Sequence, residues 1–417
     1  MDKILIRGGT PLQGEITMSG AKNAVLPILF ASLLTDENCV YKNVPDLKDV
    51  STTVKLLENF GVSTKKDENT LHVLAHNIEK PLASYDLVKT MRASVLALGP
   101  LLARHGYARI ALPGGCAIGA RPINLHLNAL VSLGADISLN EGYVTAQAKK
   151  LKGTTLCFET TTVTGTENIM MAAVLAEGTT IIENAAKEPE IIDLAQCLNK
   201  MGAKIEGTGT SRITIEGVSD LKGVEYEIMP DRIETGTYLV AVAATGGEVV
   251  LHNGEAKHLQ SILTKLTQMG VDLDLSVKNQ IKIKSEGKLK SVNIKTEPYP
   301  GFPTDMQAQM MALASISEGT SFIAEHIFEN RFMHVCELQR MGAEIDIHGN
   351  VAQVKGVSHL KGAPVMATDL RASVSLVIAG LVAEGTTEIH RVYHLDRGYE
   401  ALERKLSQLG AHIERVS

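Results

Sequence analysis

A chain of 417 residues is longer than one hydrophobic core comfortably organises, so two domains are expected, and 44% hydrophobic residues supply both. A formal net charge of −6 without clustered Lys and Arg argues against an extended nucleic-acid surface, since phosphate tracking needs excess cations. Five cysteines, an odd number with no CxxC or Cys/His cluster, fit reduced thiols better than a disulfide framework and imply no structural metal. The opening MDKILIRGG has neither an apolar h-region nor a cleavage site, and no run of 18 apolar residues occurs, so a cytoplasmic protein with no membrane partner is expected.

In chain order the pattern is periodic. Short amphipathic stretches close at Gly61, Gly134, Gly202, Gly270, Gly342 and Gly410, roughly 70 residues apart, each followed by strand-like alternation such as AKIEG or AEIDIHG. Each glycine stands where a helix ends in left-handed backbone. A second glycine precedes each of the last four, in EGTTII, TGGEVV, EGTSFI and EGTTEI; Gly106 holds that place in the second copy, and the first copy has TDENCVY instead. Between the two glycines a copy reads strand, loop, helix: a mixed α/β unit whose helix cannot bury its apolar face alone, so six units must share cores. Periodicity by itself leaves a closed solenoid open.

The second copy departs from the others. Gly106 and Gly134 are 28 residues apart, against 24 for Gly178 and Gly202, and the extra residues fall in LPGGCAIG (112–119), the start of the loop of residues 112–126, LPGGCAIGARPINLH. Glycines and proline ahead of Cys116 predict a turn, and Gly119, Arg121 and Pro122 oppose helix immediately after it, so the thiol is displayed on a loop with a guanidinium nearby. A lengthened loop at a strand-to-helix junction is where function is expected. Cys39, Cys157, Cys197 and Cys336 read as ordinary structural cysteines.

This loop resembles the active-site loop of the enolpyruvyl transferases, and the likeness runs through the chain: SGAKNAVLPIL (19–29), KTMRAS (89–94), TGTENIMMAA (164–173), NAAKEPEI (184–191), MPDRIETGTY (229–238), PGFPTDMQAQ (300–309), TDLRAS (368–373) and LDRGYEAL (395–402). The resemblance implies a two-domain inside-out α/β barrel of six α+β repeats, three per domain, helices inside and sheets outside. It places the first domain at 22–229, carrying the Cys116 loop, and the second at 1–21 plus 230–417, with a two-strand hinge near 21 and 229 and a cleft that closes on substrate.

It also implies the reaction: transfer of the enolpyruvyl group of phosphoenolpyruvate to the 3′-hydroxyl of UDP-N-acetylglucosamine with release of phosphate, the first committed step of peptidoglycan synthesis. No cofactor is implied, and a monomer is the family expectation. Phosphoenolpyruvate carries two anionic groups, which suits arginine forks and a lysine; Lys22, Arg121, Arg371 and Arg397 are the candidates. Cys116 is the expected proton donor to C3 and the site of alkylation by fosfomycin, and Asp305 the expected base at the sugar hydroxyl, with Lys22 and Arg397 completing the catalytic set. Asn23, Arg92, Arg121, Pro122, Ile123, Asn124, Leu125, Thr161, Thr162, Val163, Thr164, Ile327 and Asp369 are expected to bind substrate, Asp231 to support them, and Met333 to lie on the sugar side.

From the residues alone, Thr164-Gly165-Thr166 also reads as a capping turn before a helix starting near Glu167, and Asp305 as a first-turn or N-cap residue. The glycine in TVTGT is displaced one position from the common family pattern Ser-Val-Gly-Ala-Thr. Glu188 and Glu190 suit a hinge contact as well as chemistry. Two alternatives stay open: the shikimate-accepting branch of the same family, and a noncatalytic repeat scaffold or UDP-sugar sensor.

Overall fold

A computed structural model describes residues 2–79, 81–89, 91–112 and 123–417. Their contacts fall into two compact units: one runs from Gly20 to Met229, the other joins residues 2–19 to Pro230–Ser417. Each has its own apolar core.

The repeat is clearest between residues 155 and 216. An edge strand, Thr155–Cys157, leads through the helix Val163–Ala173 to the parallel strand Thr179–Glu183; a second helix, Pro189–Lys200, then leads to Lys204–Glu206 and Arg212–Glu216, which close the sheet antiparallel. Six four-stranded sheets are present among the described residues, and all are open. The inside-out barrel therefore involves no closed β-barrel.

In two places the chain completes a repeat from a distance. Leu12–Thr17 lies parallel to Gly247–His252 in one unit, and Glu225–Glu227 lies parallel to Asn38–Lys42 in the other. Lys3–Arg7 is inserted between Thr386–His390 and His412–Val416, so the two ends of the chain share a sheet.

Two kinds of helix alternate. Lys48–Asn59 buries Asp49, Val50, Thr53, Leu56 and Leu57, a single stripe at helical spacing. Arg232–Thr245, by contrast, buries thirteen of its fourteen residues, and Gln307–Ala314 buries all eight. Such helices are core on every side, and in this unit these two and Leu370–Val382 pack against one another. Lys22–Ala31 and Val163–Ala173 are similarly enclosed in the other unit.

All six closing glycines have φ between 93° and 106°. Each ends its helix with the same bond pair: at Gly202 its N–H donates to Asn199 O at 3.0 Å and that of Ala203 to Leu198 O at 3.0 Å. The left-handed turn sends the chain straight into the next strand. No helix among the described residues is long and apolar enough to cross a membrane.

Candidate active site

The buried helices begin where the candidate residues stand. In the unit from Gly20 to Met229, Lys22 is the first residue of Lys22–Ala31, and its Nζ lies 2.8 Å from the buried carboxylate of Asp49. Asn23 follows it, half-buried. Arg92 opens the short 3-10 segment Arg92–Ala97 that feeds Leu98–His105.

The third such helix starts earlier than the sequence suggested. Val163–Ala173 is capped by Thr162, whose hydroxyl accepts from Gly165 N at 3.2 Å, and Thr166 N donates to Thr162 O at 3.0 Å. A β-carbon on Gly165 would lie 2.3 Å from Thr162 Cγ2, so the cap and the displaced glycine require each other. Thr161 donates to Asn184 Oδ1 at 3.0 Å, and Thr164 contacts His126 Nε2 at 3.2 Å. His126, with Asn124 and Leu125, belongs to the helix Asn124–Ser132, and Ile123 precedes it. Burial, reinforced by the nearby Arg92, lowers the His126 pKa to about 4.

Glu188 stands at the start of Pro189–Lys200, with Glu190 buried in its first turn. Burial and the charges of Glu190 and Glu188 push the Glu167 carboxyl well above its ordinary value. Cys116, Arg121 and Pro122 lie outside the described residues.

In the unit of residues 2–19 and 230–417, three helix starts meet around Arg371. Asp231 caps Arg232–Thr245 by accepting from Ile233 N and Glu234 N at 2.8 and 2.9 Å. Asp369 caps Leu370–Val382 by accepting from Arg371 N and Ala372 N at 2.9 and 3.0 Å. Asp305, in the first turn before Gln307–Ala314, does not cap: Arg331 Nη2 reaches its Oδ1 at 2.8 Å and Arg371 Nη2 its Oδ2 at 2.9 Å. The Asp305 side chain keeps 26% of its surface exposed, against 6% and 4% for the two arginines.

Burial alone would raise the Asp305 carboxyl, but the charges of Arg371 and Arg331 outweigh it and hold it far below the usual carboxylate range. Arg371 also donates to Tyr399 OH at 3.1 Å, and that hydroxyl lies 3.0 Å from Thr237 Oγ1. Arg331 donates to Thr304 Oγ1 at 2.9 Å, and Thr304 to Glu325 Oε2 at 2.8 Å. Glu325 also accepts from Ile327 N at 2.8 Å, which fixes the stretch containing Ile327 and the half-buried Met333. His334, fully enclosed beside Asp369 and Arg331, has its pKa lowered to about 4, chiefly by burial. Arg397 ends the 3-10 segment Val392–Arg397, half-buried, two residues before Tyr399.

The arrangement is two enclosed guanidiniums around one partly exposed Asp carboxylate. A family model described as EPSP synthase (3-phosphoshikimate 1-carboxyvinyltransferase) matches residues 6–406. The chain belongs to that family, the enolpyruvyl transferases. A protein of Geotalea daltonii named UDP-N-acetylglucosamine 1-carboxyvinyltransferase is 57% identical over 416 residues, covering all of both chains. One of the same name from Myxococcus xanthus is 59% identical over 418 residues, covering 100% of this chain and 99% of its own. Among solved structures, the enolpyruvyl transferase NikO from Streptomyces tendae aligns over 100% of this chain and 99% of its own, with a TM-score of 0.90 at 25% identity. EPSP synthase from Acinetobacter baumannii aligns over the whole of both chains, with a TM-score of 0.78 at 19% identity, which speaks for the fold alone.

Within this enolpyruvyl transferase the structure brings together Asp305, Arg371, Asp369 and Asp231 from the expected set, and adds Arg331, Tyr399, Thr237 and Gln309, which sequence reasoning missed. Gln309 Nε2 donates to Asp305 O at 2.8 Å and to Thr237 Oγ1 at 3.2 Å. A signal for Gln309 existed: it is polar, one helical turn after Asp305, at the end of the PGFPTDMQAQ motif. Arg331, alone in ENRFMH, had none.

Proposed function

We propose that this enolpyruvyl transferase moves the enolpyruvyl group of phosphoenolpyruvate to the 3′-hydroxyl of UDP-N-acetylglucosamine and releases inorganic phosphate, the entry step of peptidoglycan synthesis. The observation that carries the choice of acceptor is full-length identity of 57 to 59% to proteins named for that sugar nucleotide, whereas the EPSP synthase likeness is at 19% identity. This favours the UDP-sugar over shikimate 3-phosphate, and an enzyme over a scaffold.

The reaction is addition then elimination. The 3′ oxygen bonds to C2 of phosphoenolpyruvate while C3 gains a proton; the tetrahedral phospho-ketal then loses a proton from C3, the C2–C3 double bond re-forms, and the C2–O bond to phosphate breaks. Cys116 is assigned as the C3 proton donor by its place in the family loop. Lys22, Arg121, Arg371 and Arg397 are assigned to the anionic groups, where charge-assisted hydrogen bonds stabilise developing charge.

For Asp305 the geometry adds a condition. A carboxylate gripped by two guanidiniums is a poor base, so it accepts the hydroxyl proton only once substrate anions compete for Arg371 and Arg331. Base strength then appears when substrate is in place, which suppresses idle chemistry.

The test is phosphate release by purified chain given phosphoenolpyruvate with either UDP-N-acetylglucosamine or shikimate 3-phosphate. Release with the first and none with the second is expected. Turnover of shikimate 3-phosphate alone would move the chain to the other branch, and inertness with both would leave only the binding scaffold.

A further inference from the structure

We propose that His126 is a positioning residue that fixes the Thr164 hydroxyl as a hydrogen-bond donor to an oxygen of the nucleotide sugar. The proposal rests on the acceptor assignment above and adds to it a contact made by this chain's own Thr164, where the common family pattern has glycine.

One backbone group beside Asn168, the neighbour of His126, has an unambiguous role. Gly99 N–H can only donate, and it meets Asn168 Oδ1 at 2.7 Å. Glycine is required there, because a β-carbon would lie 2.5 Å from that oxygen and 2.3 Å from the Asn168 carbonyl. The amide orientation of Asn168 is thereby set, with the NH₂ on the other side. Its two hydrogens go to Val95 O at 3.1 Å and to His126 Nδ1 at 3.0 Å.

A donor facing Nδ1 means that Nδ1 carries a lone pair, so the proton of the neutral ring is on Nε2. Protonating His126 would set two donors against each other, and burial already disfavours the charge. The tautomer is fixed. Nε2–H therefore donates to Thr164 Oγ1 at 3.2 Å, and the Thr164 proton must point elsewhere. Among the described residues no acceptor takes it. Thr164 is half-buried at the entry to Val163–Ala173, so its hydroxyl is both oriented and reachable.

A rigid donor to a ligand acceptor predicts a binding effect. Thr164→Val, which keeps the shape and loses the hydroxyl, should weaken binding of UDP-N-acetylglucosamine about tenfold, a larger change than any it produces in kcat. Thr164→Ser should restore affinity. His126→Leu should weaken binding as well, and should add nothing once Thr164 is Val, because the two residues act in series.

The tautomer is read independently by ¹⁵N NMR of the histidine rings, with Nε2–H expected for His126. That measurement stands even where His126→Leu fails to fold. Thr164→Val with unchanged sugar-nucleotide affinity, a His126→Leu effect undiminished in the double variant, or an Nδ1–H tautomer would each overturn the proposal. Parent turnover is measured alongside: its absence would remove the acceptor assignment itself, whereas an active parent with an indifferent Thr164→Val removes only the relay.

Discussion

The two units place opposite chemistry at the same structural position. Where buried helices begin in the unit of residues 2–19 and 230–417, the chain puts Asp231, Asp305 and Asp369; in the unit from Gly20 to Met229 it puts Lys22, Arg92 and Thr162. A helix start is electropositive, so carboxylates there are locally stabilising, and Asp231 and Asp369 act as ordinary caps. Lys22 and Arg92 are not favoured by the positive end of a helix, although Lys22 is paired with Asp49. Positions that work against the local preference are where function is expected, and we propose it for these two. Asp305 stands apart on its own side for the same reason, since it forgoes capping to hold two arginines.

That contrast can be broken at its strongest point first. Asp305→Asn removes the charge while keeping the shape, and turnover should fall by about 10²- to 10⁴-fold, the range for losing a positioned base. Phosphoenolpyruvate binding should be no weaker, because the variant leaves Arg331 and Arg371 free for the substrate anion. A large rise in its KM would show that Asp305 organises the anion site instead of occupying it.

Next in size is acid sensitivity, which compares one histidine from each unit. His126 and His334 have folded pKa values of about 4, below the unfolded value near 6.5. Each neutral ring therefore contributes its full stability above pH 6.5 and loses it as pH falls toward 4, on the order of 3 kcal/mol per histidine. Urea midpoints measured from pH 7.5 to 4.5 should fall through that window, and His126→Gln should remove about half of the slope. A flat profile would mean that neither ring is held neutral.

The smallest effect tests the cap peculiar to Val163–Ala173. Gly165→Ala pushes a methyl into Thr162 Cγ2 and should cost about 1–3 kcal/mol, as overpacking does. Combining it with Thr162→Ser, which deletes that methyl and keeps the capping oxygen, should recover most of the loss in thermal unfolding. Simple additivity of the two substitutions would show that the glycine is there for another reason.

Much of the fold was legible because its rules are local. A helix that must stop in left-handed backbone demands glycine, so six closing glycines announced six repeats. The edge strands were not legible: Leu82–Ala83 and Ile294–Lys295 are two residues long and carry no alternation. The start of Val163–Ala173 was placed too late because a glycine in a first turn reads as a breaker unless one knows that Thr162 lies over it. At the site, Asp305 and Arg371 were found through their motifs, whereas Arg331 depends on a tertiary contact across 26 residues and the His126–Asn168 pair on one across 42. No period records such pairs. Cys116, Arg121 and Pro122 rest on the family likeness of their loop.

The most direct measurement uses phosphoenolpyruvate labelled with ¹³C at C2 and C3, mixed with UDP-N-acetylglucosamine and the purified chain and followed by NMR. The expected result is a vinyl ether whose labelled C2 couples to the sugar position 3′, appearing in step with inorganic phosphate. Phosphate release with the label recovered as pyruvate, or label attached at any other sugar oxygen, would contradict enolpyruvyl transfer as the function of this chain.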